Sequence, residues 1–413
     1  MSESAIGNYE RDLITLMEPF GISGDKHGDL QTRARTLLDF VDKTLTSGHN
    51  NKISHGLWHE YLEITGRPGF LTSLDSHEAR CQWADHVFRI IDESQYDLLN
   101  MFEQRVHEHP QHTLFSEADD NPSLWSYQKV FSQIKKIAAA FYSAVEQPRV
   151  LLYLDNSPEG ACADLACLTF GILDSPIDRH FDQDTIAYVV RTLGINIVVT
   201  DNETRLRRLI DVQKQTGMPL KIFATDPQNQ ALRDTDLYLG EACSYLSDEE
   251  ADEILAKHPK RDLHAVSTVM FTSGSTGQPK GVAFTNYNLV TKRFARAAAL
   301  PEVGRDEVLF CYLPLFHTFG RFLEMMGMLF WRGTYVFAGN TSRETFLKRL
   351  SEVQPTGLIG IPLRWRQIQE CCLEQLDEAA SPDVEEDVFR SVVGKRLRWG
   401  LSAAGFLAPQ TFR

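Results

Sequence analysis

The sequence predicts an α/β fold of layered sheets flanked by helices, behind a helical N-terminal extension, and three observations carry that expectation. From about residue 95 onward, short apolar runs of strand length alternate with segments of helical periodicity. Before that point the apolar residues recur at helical spacing alone. A strong strand pattern over residues 265–271 then runs straight into a loop dense in glycine and hydroxyl groups, Phe271-Thr-Ser-Gly-Ser-Thr-Gly-Gln-Pro-Lys-Gly281.

Residues 1–95 read as helices broken by loops. Leu13, Leu16, Met17 and Phe20, and then Leu37, Leu38, Phe40 and Val41, fall at helical spacing, with breaks at Gly48 and over residues 66–69. His55 and His59 stand four apart, the spacing of a metal pair on one helix face. No third ligand lies near them in sequence and Gly56 weakens the helix, so no metal site is expected. His107, His109 and His112 flank Pro110 in a solvated loop.

Residues 96–413 read as a second domain. A helix over 98–106, a strand over 113–116 and a helix opening at Trp125, with Val130, Ile134, Ala138 and Phe141 on its apolar face, lead to a buried strand at 150–154. Asn156 and Ser157 can cap the next helix, which has Pro158 near its first position and runs to about Phe170. Apolar runs at 173–177, 195–200 and 220–223 alternate with helical patterns at 182–193 and 203–215, which implies a parallel sheet covered on both faces. Beyond an acidic connection at 248–252, strands are expected at 265–271, 282–284, 308–312, 334–337, 357–361 and 397–399. Helices are expected at 285–299, up to about 331, at 346–353 and across 364–395. Pro409 opens a helix that stops at Arg413, one turn in and without a cap, which predicts a truncated chain.

Composition narrows the class. With 413 residues, 43% of them hydrophobic and 24% charged, disordered and fibrous classes are set aside. The net charge of -14, from 42 basic and 56 acidic residues, argues against a nucleic-acid partner held by phosphate contacts. Seven cysteines, at 81, 162, 167, 243, 311, 371 and 372, form no C-x-x-C pair and no regular ladder. A reducing, cytoplasmic setting is therefore expected, rather than a disulfide framework or a zinc ribbon. The first residues, MSESAIGNYERD, have no apolar core of the signal-peptide kind, and the run over 322–338, interrupted by Glu324 and Arg332, falls short of a bilayer span. A soluble protein is expected, with peripheral membrane contact left open.

The chemistry is concentrated in three stretches. The loop at 271–281 packs three glycines (Gly274, Gly277, Gly281), four hydroxyls (Thr272, Ser273, Ser275, Thr276) and Lys280 into eleven residues. Glycines let backbone N–H groups turn toward an anion, hydroxyls add donors and the ammonium adds a full charge, so the loop suits phosphate. A Walker loop would need its lysine to lead directly into a helix, and here Gly281 and a short strand follow instead. Just past the strand at 308–312 comes Leu313-Pro-Leu-Phe-His-Thr-Phe-Gly320, which places His317, among Phe316 and Phe319, at a strand end where it can line a pocket. The last strand turns into the small-residue loop Gly400-Leu-Ser-Ala-Ala-Gly405.

Residues 272–282, TSGSTGQPKGV, resemble the phosphate-binding signature of the acyl-adenylate-forming superfamily of AMP-binding enzymes, which includes acyl-CoA synthetases, luciferases and peptide-synthetase adenylation domains. LPLFHTFG, at 313–320, resembles that family's aromatic-histidine motif, and SAAGFLAP, at 402–409, its small-residue loop usually written SGGAPLSP. WSYQKVFSQIKKIAAAF and LLYLDNSPEGACADLACLTFGILDSPI are similar to its opening segments, so the resemblance covers about residues 95–413. The helical insertion between IPLRWRQIQE and KRLRWGLS resembles the long-chain fatty acyl-CoA synthetase branch. Ala403, Ala404 and Phe406 depart from the family's glycine, glycine and proline.

The resemblance implies the family's large N-terminal domain and a two-step reaction. A carboxylic acid, on this branch a long-chain fatty acid, attacks the α-phosphorus of ATP to give acyl-AMP and pyrophosphate, and a thiol then takes the acyl group. It implies that Thr272, Ser273, Gly274, Ser275, Thr276 and Gly277 grip the β- and γ-phosphates and that Lys280 neutralises the pyrophosphate. It implies that His317 lines the acyl and adenylate pocket and gates the thiol, and that Ser402, Ala403, Ala404 and Gly405 shape the adenine and carboxylate site. The co-substrates implied are ATP with Mg²⁺, whose main glutamate ligand would lie beyond residue 413, and CoA or an acyl carrier protein. The small C-terminal domain would also lie beyond Arg413, so residues 1–413 alone are expected to bind nucleotide weakly and turn over poorly. A carrier-protein ligase and a non-catalytic binding module are the alternatives.

Overall fold

Helices begin where short polar side chains can take the place of a missing carbonyl. Ser126 accepts from Lys129 N at 3.2 Å, Ser157 from Gly160 N at 3.0 Å, Asp182 from Thr185 N at 2.8 Å and Asn202 from Arg205 N at 3.0 Å. Each such cap is worth about 1 kcal/mol, and each fixes the residue at which a strand or loop gives way to a helix. The computed structural model describes residues 3–22 (side chains from Tyr9), 29–48, 53–226, 237–258, 262–272, 279–304, 306–339, 341–376, 381–402 and 404–407.

Two compact units are present, one made of Met1–Glu108, Arg261–Val266 and Phe284–Arg305, the other of His109–Lys260, Ser267–Ala283 and Asp306–Arg413. The first is helical, with Glu3–Met17, Leu30–Thr46, His55–Thr65, Pro68–Ser73, His77–Ser94, Leu98–Glu108 and Asn286–Ala299. Its core holds Leu13, Leu16, Leu37, Leu38, Val41, Trp58, Tyr61, Trp83 and Val87, the apolar positions that helical spacing turns to one side. His59 donates from Nε2 to the carbonyl of Ser94 at 3.2 Å and stacks edge-on against Tyr96. His107 lies in the last turn of Leu98–Glu108 and not in the loop expected for it; Pro110, two residues past that helix, sets the end later than expected.

The second unit is built on two sheets, as the layered expectation requires. Its strands are β1 (Thr113–Glu117), β2 (Trp125–Ser126), β3 (Arg149–Tyr153), β4 (Leu173–Pro176), β5 (Ile197–Thr200), β6 (Lys221–Ala224), β7 (Leu237–Tyr238), β8 (Val266–Thr272), β9 (Lys280–Thr285), β10 (Val308–Cys311), β11 (Thr334–Phe337), β12 (Gly357–Gly360) and β13 (Trp399–Ser402). One sheet runs β7-β6-β5-β3-β4-β8-β9 and the other β13-β12-β10-β11-β1-β2. Pairing is parallel from β7 through to β8 in the first and from β13 through to β1 in the second, while β2 returns antiparallel on β1. Trp125 and Ser126 thus form an edge strand before their helix starts, because Trp125 pairs with Phe115.

Strands covered on both faces are apolar along their middles: β3, β5 and β6 bury Leu151, Tyr153, Val198 and Ile222 against Ile186, Val190, Leu206 and Leu209. The helix Pro158–Thr169 is buried along its whole length and packs on β3 and β4 of one sheet and on β1 of the other. A helix apolar on every side is what an interior layer needs. Two features differ from expectation. The helical insertion across 364–395 is two helices, Pro362–Leu373 and Pro382–Val393, the second reset by Pro382. The helix ending at Trp331 begins as a π-helical turn, Phe319–Met325. The helix expected at Pro409 lies outside the described residues. Among the described residues no helix is long and apolar enough to cross a membrane.

Candidate active site

The glycine-rich loop joins two neighbouring strands. Thr272 closes β8, Lys280 opens β9, and the Thr272 hydroxyl reaches the Lys280 carbonyl at 3.5 Å. Lys280 is exposed at the sheet edge. Ser273, Gly274, Ser275, Thr276 and Gly277 lie outside the described residues. Gly281 is required by close approach, since a Cβ there would come within 2.9 Å of Val269. The helix Asn286–Ala299 starts only after β9, where Thr285 and Asn288 form a reciprocal cap at 3.1 Å each way. Asn286, expected to share that capping, instead accepts from Leu98 N at 3.2 Å.

His317 sits in the turn after β10. Its backbone N–H donates to Pro314 O at 3.1 Å, and its ring lies parallel to Phe319, 5.7 Å between centroids. Phe319 N donates to His317 Nδ1 at 3.3 Å, so the neutral ring carries its proton on Nε2, the nitrogen left facing outward. The ring is exposed at the mouth of the turn. Gly320 has no alternative residue: a Cβ there would stand 2.6 Å from Pro314 O and 2.7 Å from Leu313 O, backbone atoms that cannot move aside. The turn continues into the π-helical stretch, a geometry that recurs at functional sites. Its inner face buries Glu324, which accepts from the Tyr335 hydroxyl at 2.8 Å and whose carboxyl burial pushes well above the usual carboxylate range.

The turn is held from the other sheet. Asn156, in the loop between β3 and the buried helix, donates from Nδ2 to Leu313 O at 2.7 Å and accepts at Oδ1 from Leu315 N at 3.0 Å. It was legible in the sequence only as a cap, a role that Ser157 takes. Asn156 therefore ties the carboxyl end of β3 in one sheet to the residues following the carboxyl end of β10 in the other.

Ser402 ends β13 opposite Gly360 of β12, and Gly405 packs toward Pro362. Ala403 lies outside the described residues, while Ala404 holds φ at +62°, the left-handed region that favours the glycine usual in this loop. Trp365 lies across the strand ends: a Cβ on Gly360 would meet its indole nitrogen at 2.3 Å and one on Gly400 its ring at 2.9 Å. Among the described residues, both the Ser402 hydroxyl and the Trp365 indole N–H are buried without a hydrogen-bond partner. Orphaned buried donors cost about 1–3 kcal/mol each, so the pair marks a place where acceptor atoms can bind. Among the described residues no group of three or more His, Cys, Asp or Glu side chains could hold a metal ion.

Thr272, Lys280, the His317 turn and Ser402 all stand at or just beyond strand ends, the first and last two strands away from β3 and β10 respectively. At about 4.8 Å between strands, that is roughly 10 Å along each sheet from the Asn156 bridge. The crevice outside the carboxyl ends of parallel strands is where open α/β sheets take ligands. Lys280, His317 and Ser402 make no hydrogen bond to one another among the described residues. Sequence reasoning missed Trp365, and it missed the buried group formed by Asp164, Asp174, Thr268 and Arg321. The signal for the latter was a charge inside apolar segments, Asp174 within a strand and Arg321 beside the apolar run at 322–338.

Comparison with known proteins places this geometry. The family model described as AMP-binding enzyme matches residues 102–413. The chain is similar to long-chain-fatty-acid–CoA ligase 5 of Rattus norvegicus, 27% identical over 227 residues that span 51% of this chain and 32% of the relative. It is similar also to long-chain-fatty-acid–CoA ligase ACSBG2 of Xenopus laevis, 25% identical over 281 residues, 65% of this chain and 38% of that one. It thus spans about a third of the length of these curated relatives. Among solved structures, the inhibitor-bound N-terminal domain of FACL13 from Mycobacterium tuberculosis aligns with a TM-score of 0.60 at 16% identity, covering 76% of this chain and 71% of that one. The adenylation domain of a carboxylate reductase from Mycobacterium chelonae aligns with a TM-score of 0.62 at 19% identity, covering 83% and 59%. These two likenesses establish the fold.

Proposed function

Because the chain belongs to the AMP-binding enzyme family, we propose that it is the large domain of an ATP-dependent acid–thiol ligase whose acid is a long-chain fatty acid. In this reading residues 96–413 form the activating domain and residues 1–95 a helical extension to it. One carboxylate oxygen bonds to the α-phosphorus of ATP as the bond to pyrophosphate breaks; the thiol sulfur of CoA then bonds to the acyl carbon as AMP leaves. Attack of one anion on another needs neutralised charge and alignment, which donors and cations supply without covalent participation by the protein.

The roles are those that the resemblance of the three motifs implies. Thr272 and the loop through Gly277 hold the β- and γ-phosphates, and Lys280, at the head of β9, balances their charge. His317 borders the acyl and adenylate pocket, and Ser402, Ala403, Ala404 and Gly405 shape the adenine and carboxylate end, where the free hydroxyl of Ser402 offers a donor. The single observation that carries the reading is the Asn156 bridge, which gives the two sheets a common ligand-facing edge.

ATP titration calorimetry together with ATP–pyrophosphate exchange, run across carboxylic acids of increasing chain length, tests it. Lys280→Ala should weaken ATP binding about tenfold, the loss of one charge-assisted contact of about 1.4 kcal/mol. Unchanged ATP affinity in that variant removes the loop from the site, and exchange that ignores the added acid overturns acid activation.

A further inference from the structure

We propose that Arg321 is a positioning residue that locks the strand leading into the phosphate loop to the turn carrying His317. The inference rests on the activation reading above and goes further by naming the device that sets the two halves of the site relative to each other.

Arg321 is fully buried, yet all of its charge is accounted for. Its Nε donates to Asp164 at 2.8 Å, Nη2 to Asp164 at 2.5 Å and to Asp174 at 2.7 Å, and Nη1 to the Thr268 hydroxyl at 2.7 Å. Asp164 comes from the helix between the sheets, Asp174 from β4 and Thr268 from β8, with Asp174 and Thr268 directly paired across the two strands. One side chain thus gathers three elements.

Both ends of this link reach the candidate site. Thr268 stands four residues before Thr272, about 13 Å along the same strand. The Arg321 backbone N–H donates to the carbonyl of His317 at 3.0 Å, one turn back. A guanidinium presents its donors in a rigid plane, so it fixes direction as well as distance; a lysine would hold the charge without the fork. Packed interiors pass small shifts on instead of absorbing them, so a displacement of β8 is felt at the His317 turn. Asp164 supplies the charge that lets the arginine be buried, Asp174 adds acceptor oxygens, and the Thr268 contact is the arm that reaches the phosphate-loop strand.

Thr268→Val cuts that arm while leaving the ion pairs in place, and so avoids the misfolding that removing Arg321 would risk. The proposal expects faster amide hydrogen exchange in β8 and, in parallel, in residues 313–320. It also expects ATP binding, read by calorimetry, to weaken about tenfold. Thr268→Ser should restore both, and Arg321→Lys should keep the fold while showing the same paired defect. Exchange that quickens in β8 alone, or ATP affinity within twofold of wild type in Thr268→Val, overturns the positioning role. A wild-type chain that shows no ATP binding overturns the activation reading instead, and the exchange comparison still decides whether the two segments are coupled.

Discussion

Raising the pH from acid toward neutrality should destabilise the larger unit through its buried carboxyls, and the share of Asp174 can be isolated. The side chain is wholly buried on β4, and the guanidinium of Arg321 that lies 2.7 Å away is shared with Asp164. One cation cannot neutralise two carboxylates. Burial is the main cause that pushes Asp174 up to about 8; the Arg321 guanidinium opposes the rise and the Asp164 charge adds to it. In the unfolded chain the same carboxyl ionises near 3.8. Between those two values the folded protein holds a proton that the unfolded chain has released, so folding is favoured by acid. The contribution is fully present below the unfolded value and is lost as pH rises through the folded one. A group that holds a proton in the folded state alone loses stability steadily over this range, so Asp174 removes at most about 3 kcal/mol between pH 5 and pH 7, and less as the protein interior relaxes around charge.

The assay is urea unfolding followed by tryptophan fluorescence at pH 5, 6, 7 and 8 for wild type and Asp174→Asn. An amide cannot ionise, so the variant lacks this slope, and the stability of the variant minus that of wild type should climb from pH 5 to pH 7, by at most about 3 kcal/mol. A difference that stays within about 0.5 kcal/mol across the series would mean that Asp174 ionises alike in both states, and the reasoning fails.

Asn156→Ala should cost about 2–4 kcal/mol by leaving Leu313 O and Leu315 N without their partner, and a shift of the urea midpoint worth less than about 1 kcal/mol would show that the bridge carries no load. Ala404→Gly should stabilise by about 0.5–1 kcal/mol, because relief of a left-handed alanine, about 1–2 kcal/mol, outweighs the backbone entropy of glycine, about 0.4–1 kcal/mol; a lower melting temperature in calorimetry refutes this. Arg293→Met should stabilise the helical unit by about 1–4 kcal/mol. Arg293 is 2% exposed, none of its three guanidinium nitrogens has a hydrogen-bond partner, and Arg296 repels it; a loss above about 1 kcal/mol would contradict that account.

Much of the fold was legible because its signals are local. Ser126, Ser157, Asp182 and Asn202 announce helix starts through bonds to residues three positions on, and the short runs of consecutive apolar residues in β3, β5 and β6 announce burial on both faces. What periodicity does not hold is which strand joins which sheet. β1 and β11 pair across more than two hundred residues, and β7, only two residues long, is too short to show any period. The π-helical turn Phe319–Met325 escaped because so short a stretch shows no apolar period of its own.

The candidate site divides along the same line. Lys280, His317 and Ser402 stood out because glycine, hydroxyl and aromatic residues cluster around them within a few positions. The residues that hold those stretches in place did not. Asn156 looks like a cap because asparagine beside serine and proline always does, and its bonds to Leu313 and Leu315 reach across more than 150 positions. Asp174 and Arg321 each look like a fault in an apolar segment, and only together do they make physical sense, since either one buried alone would cost more than the fold could bear. For Asp174 and Arg321 the charge placed where periodicity demands an apolar side chain is a long-range signal: each finds its partner on another element of the chain. In this protein the partners of Arg321 lie on the helix Pro158–Thr169, on β4 and on β8, the strand that runs into the glycine-rich loop, so the least regular positions of the apolar segments join elements that periodicity leaves separate.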